Sequence, residues 1–226
     1  MATVMLVRHG RTSANASGVL AGWTPGVTLD DAGLAQAEAT GKRLAKVPLD
    51  AIVTSPLERT VETARIVGQQ HGREVPLHED ERLAECRYGD WTGQELKSLA
   101  KDPMWKVVQG HPSAMVFPGG ESMVAMQARA VEAVRDWNGR LGERAVWVAV
   151  SHGDVIKAIL ADALGMHLDA FQRIQVDPGS VSVINYTPVR PFVMRLNDTG
   201  GGFGSFAKRR RRRGSDAAVG GGSGQD

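Results

Sequence analysis

The chain has 226 residues, 42% of them hydrophobic and 23% charged, the size of one globular domain with a sizeable core and room for a small insertion. Its formal charge is +2, yet six basic residues crowd into Lys208–Arg213; with residues 197–226 set aside, 21 Lys and Arg face 22 Asp and Glu, which excludes the spread basic face of a nucleic-acid-binding domain. The single cysteine, Cys86, cannot form an intramolecular disulfide; with no export signal and no apolar run long enough for a membrane span, the expected location is the cytoplasm.

Val4-Met5-Leu6-Val7 is a short apolar run that ends in Arg8-His9-Gly10, the pattern of a buried parallel strand handing its last residues to a loop. Leu34, Ala37, Gly41 and Leu44 recur at helical spacing, so a helix is expected over Asp31–Lys46 with Asp30 as its N-cap. Ala51–Thr54 reads as a second strand, and Pro56 is expected to start the next helix, with Leu57, Val61, Ala64 and Val67 on one side. Val75–Leu77 reads as a short third strand. From Asp80 to Gly120 periodicity weakens, with short helical pieces such as Glu95–Lys101, which reads as an insertion over the sheet edge.

A helix over Glu121–Leu141 precedes the most convincing buried strand, Ala145–Val150, which ends in Ser151-His152-Gly153-Asp154 before a helix over Val155–Leu164. Val181–Tyr186 and Phe192–Leu196 are expected as final strands, with Pro188 and Pro191 placing them at an edge. Strands alternating with helices give an α/β fold with a mostly parallel sheet covered on both faces. The domain is expected to span residues 1–196, followed by a disordered Gly/Arg-rich tail over 197–226, where scattered apolar residues cannot offset ordering entropy.

Moving a phosphoryl group needs a nucleophile, fixed positive donors around its oxygens and a proton for the leaving group. Arg8 and His9 end the first strand, Arg59 falls in the first turn of a helix after the second, and His152 stands at a helix N-terminus after the late strand. These strand ends can converge on one anion, as ligands in open α/β sheets bind beyond the carboxyl ends of strands. No His spacing suits a metal, and no nucleotide-binding fingerprint or serine elbow appears in a strand context, so neither a metal nor a cofactor is expected.

Arg8-His9-Gly10-Arg11-Thr12 with Asn15, then Ser55-Pro56-Leu57-Glu58-Arg59-Thr60 with Glu62-Thr63-Ala64, then Ser151-His152-Gly153-Asp154, resembles the histidine phosphatase superfamily, which includes cofactor-dependent phosphoglycerate mutases. The resemblance covers roughly residues 3 to 190 and implies a three-layer α/β/α sandwich of the phosphoglycerate mutase-like kind. It further implies that His9 attacks phosphorus, that Arg8, Arg59 and His152 bind the transferred phosphate, and that Asn15 adds a hydrogen bond. A protonated or donor His152 would stabilise the transition state. By the same resemblance the acid ahead of Gly89-Asp90-Trp91-Thr92-Gly93 is Glu85, with Asp80 and Glu81 as fallbacks.

The expected function is that of a phosphomonoesterase acting on a small phosphorylated metabolite, in preference to a phosphoglycerate-type mutase. Relatives with mutase activity carry a longer, basic insertion with paired arginines, whereas no Arg occurs here between Arg87 and Arg129. A reading of another class, a polyanion- or nucleic-acid-binding protein acting through Lys208–Arg213, ranks below a merely solubilising tail.

Overall fold

A computed structural model describes residues 2–201 and Gly220. The first half runs β1 (Ala2–Arg8), α1 (Ser13–Ser17), α2 (Asp31–Leu44), β2 (Ala51–Thr54), α3 (Glu58–Gln69) and β3 (Leu77–Glu79). A region of short pieces follows, with 3-10 turns at Glu81–Leu83 and Gly89–Trp91, then α4 (Leu96–Leu99), α5 (Trp105–Gly110) and a turn at Pro112–Ala114. The second half holds α6 (Met123–Leu141), β4 (Val146–Ser151), α7 (Gly153–Ala163), a 3-10 turn at Leu168–Arg173, β5 (Val181–Tyr186) and β6 (Pro191–Asp198).

Among the described residues the strands form one six-stranded sheet in the order β3-β2-β4-β1-β5-β6. The first four strands of that order run parallel, whereas β5 is antiparallel to β1 and β6 to β5. Alternation along β1 explains the layers. Val4 and Leu6 pack on one face with Ala130 and Val134 of α6 and Ile156 and Leu160 of α7. Met5 and Val7 turn to the other face, against Leu44 of α2 and Ala64 and Val67 of α3. The result is the expected α/β/α sandwich with a mostly parallel sheet, in which each wholly buried Val, Ile or Leu contributes about 1.5–3 kcal/mol.

Asp30 caps α2 as expected, its side chain accepting the Gly33 N–H at 2.8 Å. Most element ends shift by one or two residues from the sequence expectation, and some differences are instructive. The helix after β2 starts at Glu58 with Leu57 as N-cap, so Pro56 precedes the cap instead of opening the helix. The third strand lies two residues later, at Leu77–Glu79, because its exposed edge position gives the chain no apolar run to read. The 80–120 region does not lie over a sheet edge. Its Leu83, Tyr88, Trp91, Leu99, Val108 and Phe117 join the core shared by α6 and α7, and its first turn packs on β4 in the middle of the sheet. Finally, β6 takes in Asn197 and Asp198. Asn197 bonds through its side chain to Asp177, and Asp198 pairs with Arg43 of α2 at 2.7 Å, contacts that composition does not reveal.

No helix among the described residues is long and apolar enough to cross a membrane. Of the tail expected to be disordered over 197–226, residues 197–201 are described, with Asn197 and Asp198 ordered in β6; apart from Gly220 the rest, including Lys208–Arg213, lies outside the described residues.

Candidate active site

Sheet register assembles the site. Arg8 lies opposite Ser151 in the β1–β4 ladder and Thr54 opposite Val150 in the β2–β4 ladder, so the residues that follow each strand emerge side by side. The ladders continue one step into the loops, with the His9 N–H on Ser151 O and the Ser55 N–H on Val150 O, each at 3.0 Å. His9 and His152 thereby stand with ring centres 5.3 Å apart. Gly10 lets the chain turn away here, because a Cβ would collide with the carbonyl of Gly33.

The His9 Nδ1 lies 2.7 Å from the carbonyl oxygen of Gly10. A carbonyl only accepts, so Nδ1 carries the proton and Nε2 keeps its lone pair. Burial, followed by the charges of Arg59 and Arg8, holds the His9 pKa well below its ordinary value, and the imidazole is neutral at pH 7. His152 is buried in the same way and pushed well below its ordinary pKa, first by burial and then by Arg59. Its Nδ1 faces Arg59 Nη2 at 3.3 Å and its Nε2 faces Ser55 Oγ at 2.8 Å. Arg59 can only donate, so His152 is a neutral Nε2–H tautomer with Ser55 as acceptor, the donor form of the two that the sequence reading left open.

Arg59 comes from the first turn of α3 and is 2% exposed; its Nη2 also donates to Gly22 O at 2.8 Å. Its Nη1 is buried without a hydrogen-bond partner among the described residues. A guanidinium N–H left so inside a protein is costly unless an acceptor arrives. Arg8, fully buried, donates from Nη1 to Val176 O at 2.8 Å and from Nη2 to Gly220 O at 3.2 Å.

Glu85 faces this group from the irregular region. Its Oε2 lies 4.0 Å from His152 Nδ1 and its Oε1 accepts the Cys86 N–H at 2.9 Å. Burial, with Asp154 next, pushes its pKa up to about 7 against the pull of Arg59, the Cys86 N–H and Arg8. Near neutrality it therefore exchanges a proton readily.

The carbonyls leading to Glu85 are held by side chains from elsewhere. Arg129 of α6 donates to Arg82 O at 2.7 Å, Ala84 O at 2.8 Å and Glu85 O at 3.1 Å, while Ser151 Oγ donates to Leu83 O at 2.6 Å. Trp23 Nε1 adds a second donor to Glu85 O at 2.7 Å, and Arg129 itself is paired with Glu121 at 2.6 Å. Two guanidinium groups, two neutral imidazoles and one carboxyl that takes up and gives off a proton near neutrality thus cluster at the strand ends, an arrangement that suits an anion and a proton transfer beside it.

A family model described as the histidine phosphatase superfamily (branch 1) matches residues 4–199. The chain belongs to that superfamily. It is 33% identical over 174 residues, 74% of this chain and 76% of the relative, to a glucosyl-3-phosphoglycerate phosphatase of Mycolicibacterium vanbaalenii. It is 32% identical over 189 residues, 82% of this chain and 86% of the relative, to a probable phosphoglycerate mutase GpmB of Erwinia tasmaniensis. Among solved structures, Bacillus stearothermophilus YhfR superposes with a TM-score of 0.81 at 33% identity, covering 88% of this chain and 98% of that one.

In this histidine phosphatase the structure brings together Arg8, His9, Arg59, Glu85 and His152. Asn15 is also engaged locally, where its Oδ1 accepts from Thr12 N at 3.1 Å and Thr12 Oγ1 at 3.0 Å and closes a capping box on α1. Any bond from Asn15 to a phosphate has to come from Nδ2. The fallback acids are engaged elsewhere, Asp80 with Arg82 and Trp137 and Glu81 with Arg87. Sequence reasoning passed over Ser55 as a site residue although it stands in a quoted motif. It also missed Arg129, Trp23 and the buried Tyr88–Asp154 bond of 3.0 Å, which join residues with no common local pattern.

Proposed function

We propose that this member of the superfamily is a metal-independent phosphomonoesterase that hydrolyses a small phosphorylated metabolite through a phosphohistidine at His9. The observation that carries the reading is the buried Nη1 of Arg59, without a hydrogen-bond partner among the described residues, beside two neutral imidazoles and opposite a carboxyl whose pKa lies at about 7. Arg8 and Arg59 supply the positive charge that equatorial phosphoryl oxygens need, and a guanidinium meets such oxygens bidentately. His9 Nε2 attacks phosphorus and the bond to the leaving oxygen breaks, while Glu85 gives that oxygen its proton. In the second step a water molecule loses its proton to Glu85 and attacks the phosphohistidine, which returns the imidazole and releases inorganic phosphate. Burial helps twice, keeping His9 unprotonated for attack and Glu85 protonated for donation.

The phosphatase named among the relatives supports hydrolysis, and the relative named a probable mutase makes transfer the competing outcome. The same reading places the enzyme in the cytoplasm, where the buried free thiol of Cys86 needs no partner. A screen of phosphorylated metabolites that measures both free phosphate and isomerised ester decides between the two activities. Phosphate release from several esters, with an acid-labile phosphoenzyme trapped by rapid quench, is expected. Isomerisation without release would make the enzyme a mutase, and the absence of any trapped phosphoenzyme with a good substrate would end the phosphohistidine reading.

A further inference from the structure

Ser55 is buried in the site, and the mechanism gives it no part. Its main chain is held firmly: the N–H donates to Val150 O at 3.0 Å, and the carbonyl accepts from Thr54 Oγ1 at 3.0 Å and Thr60 Oγ1 at 2.9 Å. Its Oγ accepts the Leu57 N–H at 3.3 Å and stands 2.8 Å from His152 Nε2. The direction of that last bond is decided at the other side of the ring. His152 Nδ1 faces Arg59 Nη2 at 3.3 Å, and a guanidinium only donates, so Nδ1 carries the lone pair and Nε2 the proton that Ser55 accepts. Glu85 Oε2, 4.0 Å from Nδ1, is out of hydrogen-bond reach and does not compete.

Arg59 Nη2 has two protons, and both are taken, one by His152 Nδ1 and one by Gly22 O at 2.8 Å. Gripped from two sides, the planar guanidinium is fixed in rotation, and Nη1 is left as the end without a hydrogen-bond partner among the described residues. We infer that Ser55 is a positioning residue that acts through His152 on Arg59. By accepting the Nε2 proton it fixes the tautomer of the ring, and the lone pair thereby held on Nδ1 turns Arg59 so that Nη1 stays available to an oxygen of an incoming phosphate group. Ser55 needs no contact of its own with the phosphate. That the anion is the phosphoryl group of a substrate rests on the proposed function, whereas the relay itself does not.

The full-length chain tests the relay first without any substitution in it. Long-range proton–nitrogen NMR correlation of the histidine rings at pH 7, with His152 assigned from His152→Gln, is expected to show the parent ring protonated on Nε2 alone. Protonation on Nδ1 would overturn the relay. Ser55→Ala removes the acceptor, and affinity for inorganic phosphate, measured by titration calorimetry, is expected to fall about tenfold, the size of one hydrogen bond. In an Arg59→Met background the same change costs nothing further, because its effect passes through the guanidinium. Equal losses in both backgrounds would leave Ser55 a packing part only and refute the inference. Ser55→Cys, which keeps the shape with a weak acceptor, gives the same comparison should Ser55→Ala not fold. Turnover separates the relay from the reading on which its use rests. kcat/KM is expected to fall alike for alkyl and 4-nitrophenyl phosphates, since phosphate capture precedes any proton transfer; a loss confined to alkyl phosphates would place Ser55 with Glu85 and overturn the relay. If no phosphomonoester is hydrolysed while phosphate binding follows the pattern above, the phosphomonoesterase reading fails and the relay stands.

Discussion

His9, Ser55 and His152 follow directly on β1, β2 and β4, and their spacing is set by ladder hydrogen bonds that continue into the loops. Glu85 stands opposite them in a stretch with no sheet partner, where four consecutive carbonyls, those of Arg82, Leu83, Ala84 and Glu85, are held by Arg129, Ser151 and Trp23. One half of the pocket inherits its geometry from sheet register, which a single slip would destroy for every residue at once. The other half is fixed contact by contact, because irregular buried backbone has to find its hydrogen-bond partners one group at a time. The difference predicts that damage to the strand-end half stops the reaction, whereas damage to the acid's supports slows proton transfer in both steps and leaves phosphorus attack by His9 on esters with good leaving groups.

The largest effect tests the strand-end half. His9→Ala removes the nucleophile, and phosphate release from any ester is expected to fall by a factor on the order of a million, as for loss of a covalent nucleophile elsewhere. Turnover within tenfold of the parent enzyme would show that the imidazole is not the group that is phosphorylated.

Glu85→Gln tests the facing half and separates substrates by leaving group. In kcat/KM, which reports the steps up to phosphoenzyme formation, alkyl phosphates lose about a hundredfold or more, the usual contribution of a general acid, while 4-nitrophenyl phosphate, whose leaving group needs no proton, changes little. The pH dependence carries the same sign. Glu85 donates only while protonated, so kcat/KM for an alkyl phosphate is expected to decline above a pKa of about 7, and the decline disappears in Glu85→Gln. Equal losses on both substrates would remove Glu85 from the role.

Arg129→Met sharpens the comparison, because it touches the acid's backbone and none of the strand-end groups. The variant is expected to reproduce the leaving-group selectivity of Glu85→Gln at a smaller size, roughly tenfold on alkyl phosphates, from misplacement alone. Combined with Glu85→Gln it adds nothing further on either substrate, since both changes act on one proton transfer. Additive losses would assign Arg129 a merely structural part. The smallest expected effect is that of chelators: treatment with EDTA leaves the rate unchanged, and a rate restored only by a divalent cation would contradict phosphate capture by Arg8 and Arg59.

The strand-end half was legible in the sequence because each of its residues closes an apolar run, and polar groups in that position mark a buried strand that delivers chemistry to a loop. Helix and strand positions around it were read to within a few residues. Glu85 was reached only through resemblance to a family, since nothing local distinguishes it from Asp80 or Glu81. What singles it out is burial beside Asp154, which belongs to an element 69 residues further along the chain. The Arg129 clamp was not legible for the same reason: it spans 44 to 47 residues, and its acceptors are carbonyls, which every residue has. The placement of the 80–120 region failed on a different point. Its apolar residues lack periodicity because they enter the core singly from loops, and periodicity was the signal available.

The three-fold grip of Arg129 on the Arg82–Glu85 backbone has a practical corollary for anyone exchanging parts between enzymes of this superfamily. A transplanted 80–120 region brings its carboxyl along but leaves behind the guanidinium, the indole and the hydroxyl that aim it. A chimera that also carries the donors at positions 23, 129 and 151 keeps its aim, and one that carries the segment alone becomes an enzyme that captures phosphate yet releases only leaving groups able to depart unassisted.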